Sequence, residues 1–112
     1  MSRASRHWRN QRATSIALLP LGLWFLFSLL GQPSLDHAAV IAWLARPLQA
    51  ILAALFGAVL LWHSMQGVQV VLEDYVGGWL RRFSIAVARL LHAAAGLALA
   101  AALARLVFGG AA

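Results

Sequence analysis

The sequence predicts an all-α integral membrane protein, a bundle of three transmembrane helices. Three observations carry this. Hydrophobic residues make up 62% of the 112 positions and charged residues only 11%, against roughly 25% charged in a soluble domain. Mean hydropathy is +0.80. The apolar residues also gather into three runs, each long enough for a bilayer span of about 20 residues. With so few charges the chain cannot clothe its own surface in water, so lipid must do it.

The first run follows a basic head. Residues 1–12 hold Arg3, Arg6, Arg9 and Arg12 with His7 and Trp8. The span, residues 13–31, carries no charge from Ala13 to Leu30. A basic head before an apolar run also describes a secretory signal peptide. This run is long for one, no A-x-A site follows, and two further spans come after it. Gly31-Gln32-Pro33-Ser34 breaks the helix. In the connection that follows, residues 32–46, Asp36 is placed to cap a short interfacial helix running through Trp43. Pro47 suits the first turn of the second span, residues 47–72. A charged turn bearing Gly77 and Gly78 occupies residues 73–82. The third span is residues 83–108; Gly109-Gly110 ends it and begins a tail, residues 109–112.

Arginine placement sets the expected orientation. All nine positive side chains are Arg, for a net charge of +6. Four lie in the head and two, Arg81 and Arg82, in the second turn; the first connection has only Arg46. Positive residues stay on the cytoplasmic side. The N-terminus is therefore expected on the cytoplasmic (or matrix) side and the C-terminus on the other; the Arg- and Ala-rich, Lys-free composition points to a bacterial inner membrane, with the C-terminus in the periplasm. A basic balance can also signal nucleic acid, but charges that flank or enter apolar runs argue against that. Cys is absent, which excludes disulfides, thiolate metal sites and iron–sulfur ligation by this chain.

Polar residues in the second span form a pattern. At 100° per residue, Gly67 lies about 40° from His63, Val70 about −20° and Asp74 about 20°. His63, Gly67 and Asp74 thus share one stripe, with His63 roughly 15 Å below Asp74 along the axis. Ionisable groups at that depth are costly and face a bundle interior or a function. Imidazole is a common axial ligand of haem iron, and a glycine one turn on lets something bulky approach the backbone. Taken alone, His63 is equally an interhelical hydrogen bonder, just as Ser64, Gln66 and Gln69 can be helix–helix glue.

The stretch His63-Ser64-Met65-Gln66-Gly67-Val68-Gln69-Val70-Val71-Leu72-Glu73-Asp74-Tyr75-Val76 resembles the H-x3-G-x6-D-Y pattern of the succinate dehydrogenase hydrophobic membrane anchor subunits (the D, cytochrome b type). The head is similar too: His7-Trp8-Arg9-Asn10-Gln11-Arg12-Ala13-Thr14 resembles that family's H-[FW]-x-x-Q-R-x-T run. Length and three spans agree, with specific motifs only in residues 7–14 and 63–76. The resemblance implies a part in respiratory electron transport and the tricarboxylic acid cycle. Its implied partners are a flavoprotein subunit, an iron–sulfur subunit and a second cytochrome b anchor subunit. It implies His63 as an axial ligand to haem b, the second ligand coming from that other anchor subunit. Asp74 and Tyr75 would lie at the ubiquinone site. Arg12, and with it His7, would lie near the haem propionates or the quinone mouth. The alternatives stay open: Tyr75 as an interfacial belt aromatic, Arg12 as a topology anchor, and Glu73 as a solvated charge or a partner for Arg81.

Outside the resemblance stands His92, at a depth in the third span close to that of His63. It raises a rival reading, a self-contained b-type cytochrome with His63 and His92 as ligands and Arg89 on a propionate. The blander reading makes His92 a helix-packing hydrogen bonder and Arg89 a snorkelling side chain. A cofactor-free helical assembly protein is the remaining alternative. The five Trp residues fall mostly near expected interfaces, as a belt does, with Trp62 nearer mid-span and without a role.

Overall fold

The computed structural model describes residues 2–109. Four helices follow one another: α1 (Arg3–Leu30), α2 (His37–Leu44), α3 (Pro47–Tyr75) and α4 (Gly78–Phe108). Three of them, α1, α3 and α4, are long and apolar enough to cross a membrane. With 28, 29 and 31 residues, each exceeds the roughly 20 needed for the hydrocarbon core. Their ends therefore extend beyond it. The basic head is part of α1, capped by the Ser2 side chain, which accepts from the Ser5 amide. Met1 and the last part of the tail, from Gly110, lie outside the described residues.

Local chemistry explains the helix ends. Gly31 closes α1, and its amide reaches back to the carbonyl of Phe27. Asp36 caps α2 by accepting from the Ala39 amide at 2.8 Å. That amide, followed by the Ser34 hydroxyl, holds the Asp36 carboxyl below its ordinary pKa. Pro47 starts α3, where its missing N–H costs nothing. Between α3 and α4 only Val76 and Gly77 are non-helical. The reversal is that short because Gly78 takes φ +64, a left-handed backbone that side-chain-bearing residues avoid. Arg81 Nε donates to the carbonyl of Val76 at 2.7 Å and braces the same turn.

α3 lies between α1 and α4 and packs on both, and α2 leans on α3 and α4. The end of the bundle that holds α2 is closed by aromatic rings. Trp43 is 2% exposed. It stacks on Trp24 at 5.9 Å and meets the edge of Phe25 at 5.7 Å, while Phe25 lies 5.3 Å from Phe56. Trp24 and Trp43 are thus the knot that ties α2 to α1 and α3, where a lipid-facing belt was expected. Trp62, Trp8 and Trp79 do face outward.

The α3–α4 seam relies on small residues that let helices come close. A Cβ on Gly57 would overlap Leu99 Cδ2, and one on Gly96 would meet Leu61 Cδ1 at 3.5 Å. Each glycine thus receives a leucine from the opposite helix.

Candidate functional site in the seam between α1 and α3

Six of the described residues are buried, and two of them, Thr14 at 4% and Gln66 at 6% exposed, are polar. They meet in the seam between α1 and α3, and His63 joins them. Thr14 Oγ1 lies 2.9 Å from His63 Nδ1 and 3.3 Å from Gln66 Oε1. It also lies 2.9 Å from the carbonyl of Asn10 and 3.1 Å from that of Gln11. A hydroxyl returning to carbonyls three and four residues back is the usual way a helical threonine is satisfied. The His63 edge of α3 therefore turns towards a neighbouring helix and not out to the acyl chains.

Beside this cluster the surface opens. A cleft of about 380 Å³ is lined by His63, Ser64, Gly67, Val68, Leu72 and Gln11 among others. A second, of about 290 Å³, is lined by His7, Trp8, Gln11, Gly67 and Val70. Gly67 and Gln11 border both. A Cβ built on Gly67 would meet nothing within 4 Å, so the space over this glycine is open. Gln11 Oε1 is buried yet has no hydrogen-bond partner, and such an acceptor costs free energy until a donor arrives. By contrast, the groove of about 300 Å³ at the other end of α3 and α4 is bordered by Ile51, Leu103, Val107 and Phe108 and by no polar side chain.

The structure brings some of the expected site residues together and separates others. His63 and Gly67 border the first cleft, and His7 and Gly67 the second. Arg12 stands out from the seam with its guanidinium over the Trp8 ring at 5.3 Å, a cation–π contact. Asp74 and Tyr75 end α3, both exposed, Tyr75 at 85%. Glu73 accepts from Gln69 Nε2 at 2.9 Å, and Arg89 donates to Gln69 Oε1 at 3.2 Å. Arg89, Gln69 and Glu73 thus form a polar bridge between α4 and α3.

His92 is used up by its own surroundings. Its Nδ1 lies 2.7 Å from the carbonyl of Ala88, which can only accept, so this nitrogen carries the proton. Its Nε2 then accepts from the Ser64 hydroxyl at 3.0 Å. Both ring nitrogens are engaged within the chain, the arrangement that the helix-packing reading expects. Among the described residues there is no group of three or more His, Cys, Asp or Glu able to hold a bare metal ion. An axial position on a haem needs only one imidazole from this chain.

Thr14, Gln11 and Gln66 were not foreseen as site residues. A signal existed: from His7, Gln11 lies at about 40° and Thr14 at about −20° on a helix. The three form one polar stripe that crosses from the head into the apolar run.

The comparisons with known proteins agree on one family. Residues 2–104 match the model of the succinate dehydrogenase/fumarate reductase transmembrane subunit family. A succinate dehydrogenase hydrophobic membrane anchor subunit of Rickettsia bellii is 39% identical over 72 residues, covering 64% of this chain and 58% of that one. Its counterpart in Rickettsia felis is 33% identical over 72 residues, covering 64% and 60%. A succinate dehydrogenase membrane anchor subunit of Reclinomonas americana is 35% identical over 79 residues, covering 66% and 64%. The chain thus spans about three fifths of the length of these relatives. No solved structure matches it significantly. With three apolar helices and a family match over nearly its whole length, the chain is a multi-pass membrane protein that belongs to the succinate dehydrogenase/fumarate reductase transmembrane subunit family.

Proposed function

We propose that this chain is a membrane anchor subunit of succinate dehydrogenase in a bacterial inner membrane. It docks the flavoprotein and iron–sulfur subunits, shares haem b with a second cytochrome b anchor subunit and completes a ubiquinone site. The N-terminus and the α3–α4 turn face the cytoplasm, as the clustering of Arg at that end supports. One observation carries the reading. His63 is held in a polar seam inside the membrane with one ring nitrogen engaged, beside an open glycine and a cleft bordered by apolar side chains.

These residues fit a haem. His63 offers a single imidazole on the cleft and Gly67 leaves the approach clear; the Gln11 amide, whose oxygen and nitrogen have nearly the same shape, can turn its NH2 to a propionate. Haem b, when bound, supplies a one-electron store within the membrane. His7 borders the adjoining cleft, and with Arg12 it provides cationic or hydrogen-bonding groups suited to propionates. Asp74 and Tyr75 sit at the end of α3, open to a quinone or to another subunit. A phenol donates a hydrogen bond to a quinone carbonyl without adding charge. Reduction to quinol consumes two electrons, delivered by the iron–sulfur subunit, and two protons. Asp74, exposed where the helix meets water, relays protons to the carbonyl oxygens.

Two substitutions in the co-expressed complex test this. His63→Ala removes the haem signal from the reduced-minus-oxidised spectrum; an unchanged spectrum contradicts the ligand role. Tyr75→Phe slows quinone reduction while sparing reduction of an artificial dye; equal loss of both contradicts a role at the quinone.

A further inference from the structure

Thr14 is the second most buried of the described residues and the most buried polar one, and its hydroxyl faces more acceptors than it has protons. Within 3.1 Å lie the carbonyls of Asn10 and Gln11 and the Nδ1 of His63; Gln66 Oε1 follows at 3.3 Å. A hydroxyl brings one proton and two lone pairs. A carbonyl oxygen has nothing to donate, so only the hydroxyl proton can mediate contact with the α1 carbonyls. Spent there, it leaves two lone pairs for α3. A bare nitrogen lone pair set against an oxygen lone pair at 2.9 Å is repulsive, so His63 Nδ1 must bring a proton of its own. The same count applies to Gln66. Its amide oxygen and nitrogen have nearly the same shape, and with the NH2 towards Thr14 it too donates. Thr14 then gives one hydrogen bond and accepts two, the full satisfaction that a hydroxyl between apolar helices needs.

We infer that Thr14 is a positioning residue that fixes the tautomer and orientation of His63. Nδ1 carries the proton and Nε2 keeps its lone pair, which no other described side chain engages. That is the form in which imidazole binds a metal through Nε2, with its other nitrogen donating to a supporting group. The use of this lone pair rests on the haem-ligand reading above, whereas the tautomer is a property of the chain itself.

Nitrogen NMR of the full chain, labelled with 15N-histidine and reconstituted in lipid nanodiscs, reads the tautomer directly. The His63 resonances are assigned by their absence in His63→Ala. The expected result is a protonated Nδ1 and a bare Nε2 in the native chain and in Thr14→Ser. Thr14→Val keeps the shape of the side chain but removes the hydroxyl, and should shift the ring towards the Nε2–H form. In the co-expressed complex Thr14→Val should lower haem affinity about 10–100-fold, the usual cost of losing a supporting partner, and Thr14→Ser should restore it. A bare Nδ1 in the native chain overturns the inference and needs no variant to be seen. So does a Thr14→Val chain that keeps both the native tautomer and the native haem affinity. Neither result depends on the His63→Ala spectrum, which tests the ligand role separately.

Discussion

His63 and His92 sit on adjacent helices at similar depth, and each leans on a hydroxyl of a neighbouring helix. His63 meets Thr14 of α1 through Nδ1. His92 meets Ser64 of α3 through Nε2 and a carbonyl of its own helix through Nδ1. The difference lies in what remains. The ring of α4 has no nitrogen left, whereas the ring of α3 has Nε2 beside a cleft and a glycine with open space above it. A histidine that only joins helices spends both nitrogens on the protein. One that serves a ligand is held by one nitrogen and leaves the other. The two seams differ in the same way. The one between α3 and α4 closes through leucines set on glycines, and the one between α1 and α3 opens at Gly67.

Substitutions at the two ends of the bundle separate the roles of the two rings. The largest effect on stability should come from the end remote from both rings. Trp43→Ala empties the aromatic knot and should destabilise the folded chain by about 3 kcal/mol, the low end for deleting a buried aromatic side chain. The measurement is unfolding in mixed micelles followed by circular dichroism. If the two ends act separately, the co-expressed complex that carries the variant keeps its haem spectrum. Loss of haem from folded protein would show that the knot also shapes the site. A smaller effect is expected at the α3–α4 seam. Ser64→Ala removes the hydroxyl from His92 and should cost about 0.6 kcal/mol, the average for an interhelical hydrogen bond in a membrane. The haem spectrum should not change. A new spectral component in Ser64→Ala would mean that His92, once freed, competes for iron.

Most of the fold was legible in the sequence. Uncharged apolar runs of sufficient length have few alternatives in lipid, since a helix is the way one span satisfies its own backbone. Gly31, Asp36 and Pro47 act locally, so their effects on the ends of α1, α2 and α3 follow from residue type alone. The tryptophans were harder. A belt and a buried knot use the same residue at the same depth, and only the way α2 folds back decides between them for Trp24 and Trp43. In the site, His63 stood out because an ionisable group in an apolar run is costly. Thr14 did not, because a threonine satisfies itself on its own helix and is cheap anywhere along it. Its contact with His63 spans 49 positions of sequence and depends on how α1 and α3 are rotated against each other. Gly77 and Gly78 marked a turn, but residue type alone does not say which of them takes the left-handed backbone; Gly78 does, at φ +64, and so lets two residues reverse the chain.

One paired experiment tests the unequal roles of the two rings. The complex is expressed with His63→Ala or with His92→Ala, and reduced-minus-oxidised spectra are recorded at equal subunit content. Loss of the haem band in the first and its retention in the second is the predicted result. Retention in the first, or equal loss in both, would contradict it.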